Sequence, residues 1–135
     1  MERITSENYV EKAVRTENKD TEGIVQRISD PTVLRLLHSA MGLATEAGEI
    51  VDQLKKHIFY GKELDLLNLK EEYGDNMWYV ALGIDALRED LGNIMTGNIA
   101  KLAKRYPNFF TKEDAINRDT AAEINDLQEA MEGKS

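Results

Sequence analysis

Apolar residues recur at helical spacing along most of this chain, and the polar stretches between them carry residues that start and stop helices. From Pro31 onward, Val33, Leu37, Met41, Ala44, Val51, Leu54 and Ile58 fall on one helix face, while Leu36, Leu43 and Ile50 repeat every seventh position on another. Asp30-Pro31 has the form of an N-cap and a first helical residue, so a long helix is predicted from there to about His57 or Phe59, with Gly61 as its stop. A second long helix is predicted from near Asp65 to about Leu91, broken by Gly92-Asn93, and a shorter one follows to Tyr106-Pro107. Ahead of these, residues 6–18 read as an amphipathic helix with Ser6 as N-cap and Tyr9, Val10, Ala13 and Val14 on one face; the polar stretch from Lys19 to Gly23 breaks it. Thr111-Lys112-Glu113-Asp114 has capping-box spacing and starts a final helix over about 112–132. No strand-like alternation with turn signals stands out. The pattern predicts an all-α fold.

The second long helix carries an uncharged run from Asn76 to Ile84, and the first is apolar on two faces. A helix that is apolar nearly all round must be covered on several sides. A short chain supplies few covering elements, so the expected architecture is a helical bundle with a central antiparallel helix pair, completed by oligomerisation. The chain of 135 residues is expected to form one domain with its core over about 31–106, the first and last helices being additions.

Composition narrows the functional classes. With 41% hydrophobic against 31% charged residues, the chain can bury enough apolar surface to fold. The absence of cysteine excludes disulfides, thiolate metal sites and thiol nucleophiles. No uncharged apolar run approaches the ~20 residues that span a bilayer, and the N-terminus lacks a signal-peptide core, so a cytoplasmic protein with no membrane partner is expected. A net charge of −8 argues against a nucleic-acid partner, which needs clustered Lys and Arg. Any polyanionic substrate would need a local cationic site or a bound metal.

Four carboxylates break the helical pattern. Glu46 lies between Leu43 and Ile50 in the second apolar stripe, and burying a carboxylate there costs several kcal/mol unless a cation or hydrogen bonds compensate it. Glu49 follows at i+3, which aims both acids into one region. Glu72-Tyr73-Gly74-Asp75 repeats the arrangement just before the uncharged run. Each pair encloses a glycine, Gly48 or Gly74, which weakens a helix interior and points to close approach of another helix or a ligand. If the long helices form an antiparallel hairpin, Glu49 lies ~12 Å from the turn and Glu72 ~10 Å, so the pairs meet at one level. Oxygen-only ligands suit Mg²⁺ or Mn²⁺, and Mg²⁺ shares its remaining positions with water and substrate phosphates. Single acidic residues on helices are usually solvated or paired with Lys or Arg; Asp52, Glu71 and Asp85 are left with that explanation, although Asp52 continues the Glu49 edge as a candidate outer ligand.

In Gly42-Leu43-Ala44-Thr45-Glu46-Ala47-Gly48-Glu49, in Lys70-Glu71-Glu72-Tyr73-Gly74-Asp75 followed by Trp78-Tyr79, and in Asn98-Ile99-Ala100-Lys101-Leu102 with Lys104-Arg105-Tyr106-Pro107, the chain resembles the MazG-like all-α nucleoside triphosphate pyrophosphohydrolases. The order is ExxE, a spacer, then ExxD. The resemblance runs from about Leu34 to Glu123 and includes the Ala115-Ile116-Asn117-Arg118-Asp119 stretch of the shorter, phage-like members. It implies that Glu46, Glu49, Glu72 and Asp75 bind Mg²⁺, with Mn²⁺ a substitute. It also implies that an NTP or dNTP is cleaved between its α and β phosphates to give the monophosphate and pyrophosphate. Metal ions held there would neutralise the triphosphate and activate water for in-line attack. One carboxylate of the cluster is expected to act as general base, with Glu49, on the more polar edge, favoured and Glu46 the second catalytic candidate.

The resemblance further implies that Asn98 and Lys101 face the nucleotide and that Lys104 or Arg105 holds the outgoing pyrophosphate, with Arg118 a further candidate. Cations near a helix C-terminus also favour the helix dipole whatever the function. Trp78 and Tyr79 are placed to contact a base, although aromatics in an uncharged helical run more often belong to a core. The only histidines, His38 and His57, do not follow a glutamate at i+3, so the ligand pattern of di-iron carboxylate bundles is absent and both read as structural or surface residues. The reading is a Mg²⁺-dependent nucleotide pyrophosphohydrolase in nucleotide-pool control, a homodimer or homotetramer. The competing reading is a non-catalytic helical module that binds a metal or a partner.

Overall fold

The computed structural model describes residues 3–133, which form two compact units, one running to Leu34 and one from Arg35 onward. Among the described residues there are seven helices and no strand.

In the first unit, α1 spans Ser6–Val14 and α2 spans Thr21–Ile28. Thr5, not Ser6, is the N-cap of α1, and its backbone N–H donates to Asn8 Oδ1 at 2.9 Å. The helix stops at Val14, short of residue 18; the Thr16 hydroxyl bonds back to the Ala13 carbonyl at 2.9 Å. The polar stretch read as a break does separate the helices at Lys19 and Asp20, but its last three residues are already the first turn of α2. Asp20 accepts from the Gly23 N–H at 3.0 Å, and the apolar stripe of this short helix is only Ile24, Val25 and Ile28.

The helix α3, Pro31–Tyr60, opens as expected. Asp30 accepts from the N–H groups of Thr32 and Val33 at 2.8 and 3.1 Å, and Pro31 has no N–H to satisfy. It ends at Gly61, whose φ of 66° is the left-handed conformation that glycine adopts without strain. The α3–α4 turn is closed by His57 Nδ1, 2.8 Å from the Lys62 carbonyl. The next helix, α4, spans Leu66–Ala86 and is capped by Asp65, which accepts from the N–H groups of Leu67 and Asn68.

The end of α4 corrects the expectation of a helix to Leu91. The Glu89 N–H reaches the Ile84 carbonyl at 3.2 Å and the Arg88 N–H reaches Asp85 at 3.0 Å, around an Arg88 with φ 59°. This is a Schellman ending with arginine in the position usually held by glycine. Gly92 and Asn93 lie inside α5, Leu91–Arg105, whose cap is Asp90. The single C-terminal helix over 112–132 is also corrected. It is two helices, α6 over Lys112–Ile116 and α7 over Thr120–Met131, with Asp119 capping the second through the Ala122 N–H at 3.0 Å.

Within the second unit α3 and α4 run antiparallel. Arg35 pairs with Asp85, the Ser39 hydroxyl donates to the Tyr79 carbonyl at 2.7 Å, and Gly42 lies against the Tyr79 ring. Position numbers rise along one helix as they fall along the other. That register carries on to Glu46 opposite Asp75 and Glu72. Further along the chain α5 packs on α7, where Gly97 lets the Met131 side chain approach.

Candidate metal centre

Carboxylate oxygens of Glu46 on α3 and of Glu72 and Asp75 on α4 all lie within 4.8 Å of one another. Glu72 is buried, at 8% exposure, Glu46 is half-buried and Asp75 is exposed. The small residues Gly42 and Ser39 let the two helices approach closely one and two turns earlier, and this brings the acids together across the seam.

The arrangement is electrostatically frustrated without a cation. Burial pushes the Glu46 carboxyl above its ordinary range, and the contact with Glu72, the Glu72 charge and the Asp75 charge push it the same way. The Thr45 hydroxyl, 3.5 Å from Glu46 Oε1, acts weakly against them. No described lysine or arginine forms an ion pair with any of the three. The donor set is therefore all oxygen, anionic and uncompensated, and it fits a hard divalent cation of the Mg²⁺ or Mn²⁺ kind.

Two asparagines flank Glu72 on α4. Asn68 Nδ2 donates to Glu72 Oε1 at 2.8 Å, and Asn76 Nδ2 donates to the Glu72 backbone carbonyl at 2.8 Å. Neither was singled out from sequence. An asparagine one turn before a carboxylate, near a helix start, looks like a capping residue.

The fourth expected ligand stands apart. Glu49 is exposed, one turn along α3, and its oxygens are not in the converging group. Asp52 is turned to Lys55 and Lys56 on its own helix; the Lys55 ammonium, then Lys56, hold its carboxyl down at about 2. At Gly48 and Gly74 no described atom of the chain itself lies where a Cβ would project, so neither glycine is required by the packing of this chain's own helices. The tight glycine near the site is Gly42.

Of the other expected contacts, Trp78 is exposed and meets His38 and Tyr79 edge-on, at centroid distances of 6.2 and 4.9 Å. Asn98 is exposed and Lys101 half-buried on α5, and neither is hydrogen-bonded or ion-paired to the acidic trio. Lys104 is 3.6 Å from Asp126. Arg105 and Arg118 are both engaged by Glu123, an unforeseen residue on α7 that is only 2% exposed. Arg105 donates to it at 3.1 and 2.6 Å and Arg118 at 3.2 and 2.8 Å. These guanidinium bonds, Arg105 first, hold the Glu123 carboxyl down at about 2. A cleft of about 160 Å³ opens beside this cluster, lined by Lys104, Asp114, Asn117 and Asp119 among others; none of the acidic trio lines it.

The family model for the MazG nucleotide pyrophosphohydrolase domain matches residues 36–110, more than half of the chain. The chain belongs to the MazG nucleotide pyrophosphohydrolase family. No curated protein and no solved structure matches it. The MazG span contains the whole acidic trio together with Glu49, Asn68, Trp78, Asn98, Lys101 and Arg105. It ends before Arg118 and Glu123, so the clamp that anchors α7 lies partly outside it. An all-α fold and a nucleotide hydrolase activity are what MazG membership carries, and the trio is the cluster in this span with the chemistry for a metal. No described helix is long and apolar enough to cross a membrane.

Proposed function

We propose that the protein is a Mg²⁺-dependent nucleoside triphosphate pyrophosphohydrolase, with Mn²⁺ a workable substitute, and that deoxynucleotides are its substrates in nucleotide-pool control. The observation that carries the reading is the convergence of Glu46, Glu72 and Asp75 inside the matched MazG span. A cation there supplies charge neutralisation of the triphosphate and activation of the attacking water. The reaction forms a bond from water oxygen to the α phosphorus, breaks the bond from that phosphorus to the bridging oxygen, and releases monophosphate and pyrophosphate.

Glu46, Glu72 and Asp75 act as ligands in this reading. Glu49, exposed and outside the converging group, is assigned the role of accepting the proton of the attacking water. Asn98 and Lys101 contact the nucleotide, and Trp78 offers an exposed ring to the base. Lys104, Arg105 and Arg118 pair with Asp126 and Glu123, which fastens α5 to the C-terminal segment, and their remaining N–H donors are the ones available to pyrophosphate. The working form is a cytoplasmic homodimer or homotetramer whose functional core is about residues 31–106.

Turnover of a dNTP panel with Mg²⁺ in ¹⁸O-labelled water tests this reading. The label is expected in the monophosphate. Label in the pyrophosphate, or no turnover of any dNTP, overturns it.

A further inference from the structure

We infer that Asn68 is a positioning residue: its side-chain amide fixes the Glu72 carboxylate so that one oxygen is presented to the cation. The inference rests on the metal reading above. Asn68 and Glu72 lie one turn apart on α4, and Nδ2 donates to Oε1 at 2.8 Å. An ionised carboxylate only accepts, so the NH₂ side of the amide must face it. The consequence is visible on the other side of the amide, where Asn68 Oδ1 is buried with no hydrogen-bond partner. Among the described residues the bond to Glu72 is the hydrogen bond that this side-chain amide makes.

Helix capping does not explain the residue either. Asp65 already caps α4 and accepts the Asn68 N–H itself at 3.0 Å. A free glutamate has three side-chain torsions to order when it binds a cation, and a hydrogen bond to Oε1 orders them beforehand. Asn76 supplies the internal comparison. Its amide sits one turn on the far side of Glu72 and makes a bond of equal length, but to the main-chain carbonyl, which cannot aim the carboxylate.

The experiment is a Mn²⁺ titration of the metal-free full chain, reading free Mn²⁺ by its paramagnetic resonance signal, with helicity checked by circular dichroism. Asn68→Ala is expected to weaken Mn²⁺ binding about 10- to 100-fold, the usual effect of removing a bond to a metal ligand. Asn76→Ala is expected to stay within about threefold of the native protein on the same scale. Asn68→Leu, which keeps the size and removes the donor, is measured beside them and is expected to show the same loss as Asn68→Ala, so a folding defect in one variant does not decide the outcome. Native-like affinity in a folded Asn68 variant, or an equal loss in Asn76→Ala, overturns the inference while leaving the metal reading intact. A native protein that binds no Mn²⁺ overturns both.

Discussion

Glu123 shows how a single residue anchors a segment. A buried carboxylate bridging two arginines is strongly destabilising to break, because the partners are left with uncompensated charge. Glu123→Gln is expected to lower the melting temperature by on the order of 5–10 °C, measured by circular dichroism. Its pH signature follows from the depressed carboxyl. The stabilisation is complete above the ordinary glutamate value near 4.5 and disappears as pH falls toward about 2. The native melting temperature should therefore drop steeply as pH falls from about 4.5 to about 2, and that of Glu123→Gln less steeply.

Glu46 has the opposite sign. Its raised carboxyl means the charged form opposes folding once pH passes the ordinary value, so a cation should stabilise the native state most where Glu46 is ionised. Added Mg²⁺ is expected to raise the melting temperature at pH 7 and to raise it less as pH falls toward the ordinary carboxylate range. At this scale the trio was legible, because an acid inside an apolar stripe advertises its cost. Which of Glu46 and Glu49 points into the seam was not, since i+3 spacing fixes a face but not a rotamer. Asn68 and Glu123 were invisible, because their partners are set by side-chain packing rather than by any pattern of residue types.

Helices were legible wherever a cap and an apolar stripe coincide, as at Asp30-Pro31 and Asp65. The misplaced end of α4 has a specific cause: its left-handed ending is built on Arg88, while the nearest glycine, Gly92, is helical. Arg88→Gly is expected to stabilise the protein by about 1 kcal/mol, the cost of a side chain in that conformation. Glycines inside helices divide the same way. A Cβ at Gly42 would sit 2.1 Å from the Tyr79 ring, so Gly42→Ala is expected to cost about 1–2 kcal/mol despite its better helix propensity. Gly74 has open space, and Gly74→Ala is expected to gain up to about 1 kcal/mol. Thermal or urea unfolding of the three variants checks all three signs.

For the whole molecule, Ala86 is the one buried hydrophobic side chain among the described residues, while Val51, Ile58, Phe59, Tyr73, Met77 and Trp78 on α3 and α4 are all more than half exposed. Apolar faces of this extent ask for a cover, and a second copy of the chain is the simplest one. Light scattering is expected to give a multiple of the 15.3 kDa chain mass; a monomer at micromolar concentration would contradict the oligomer. The net charge of −8 takes on a different meaning at this scale. It disfavours nucleic-acid backbone, yet three of the acids are gathered where a cation can make them a receptor for a triphosphate. The most direct test is ³¹P NMR of a dNTP incubated with Mg²⁺ and either the native protein or Asp75→Asn. Monophosphate and pyrophosphate are expected from the native protein, and at least a hundredfold slower turnover from a folded Asp75→Asn. A diphosphate with orthophosphate, or equal turnover by both proteins, would contradict the metal-dependent pyrophosphohydrolase reading.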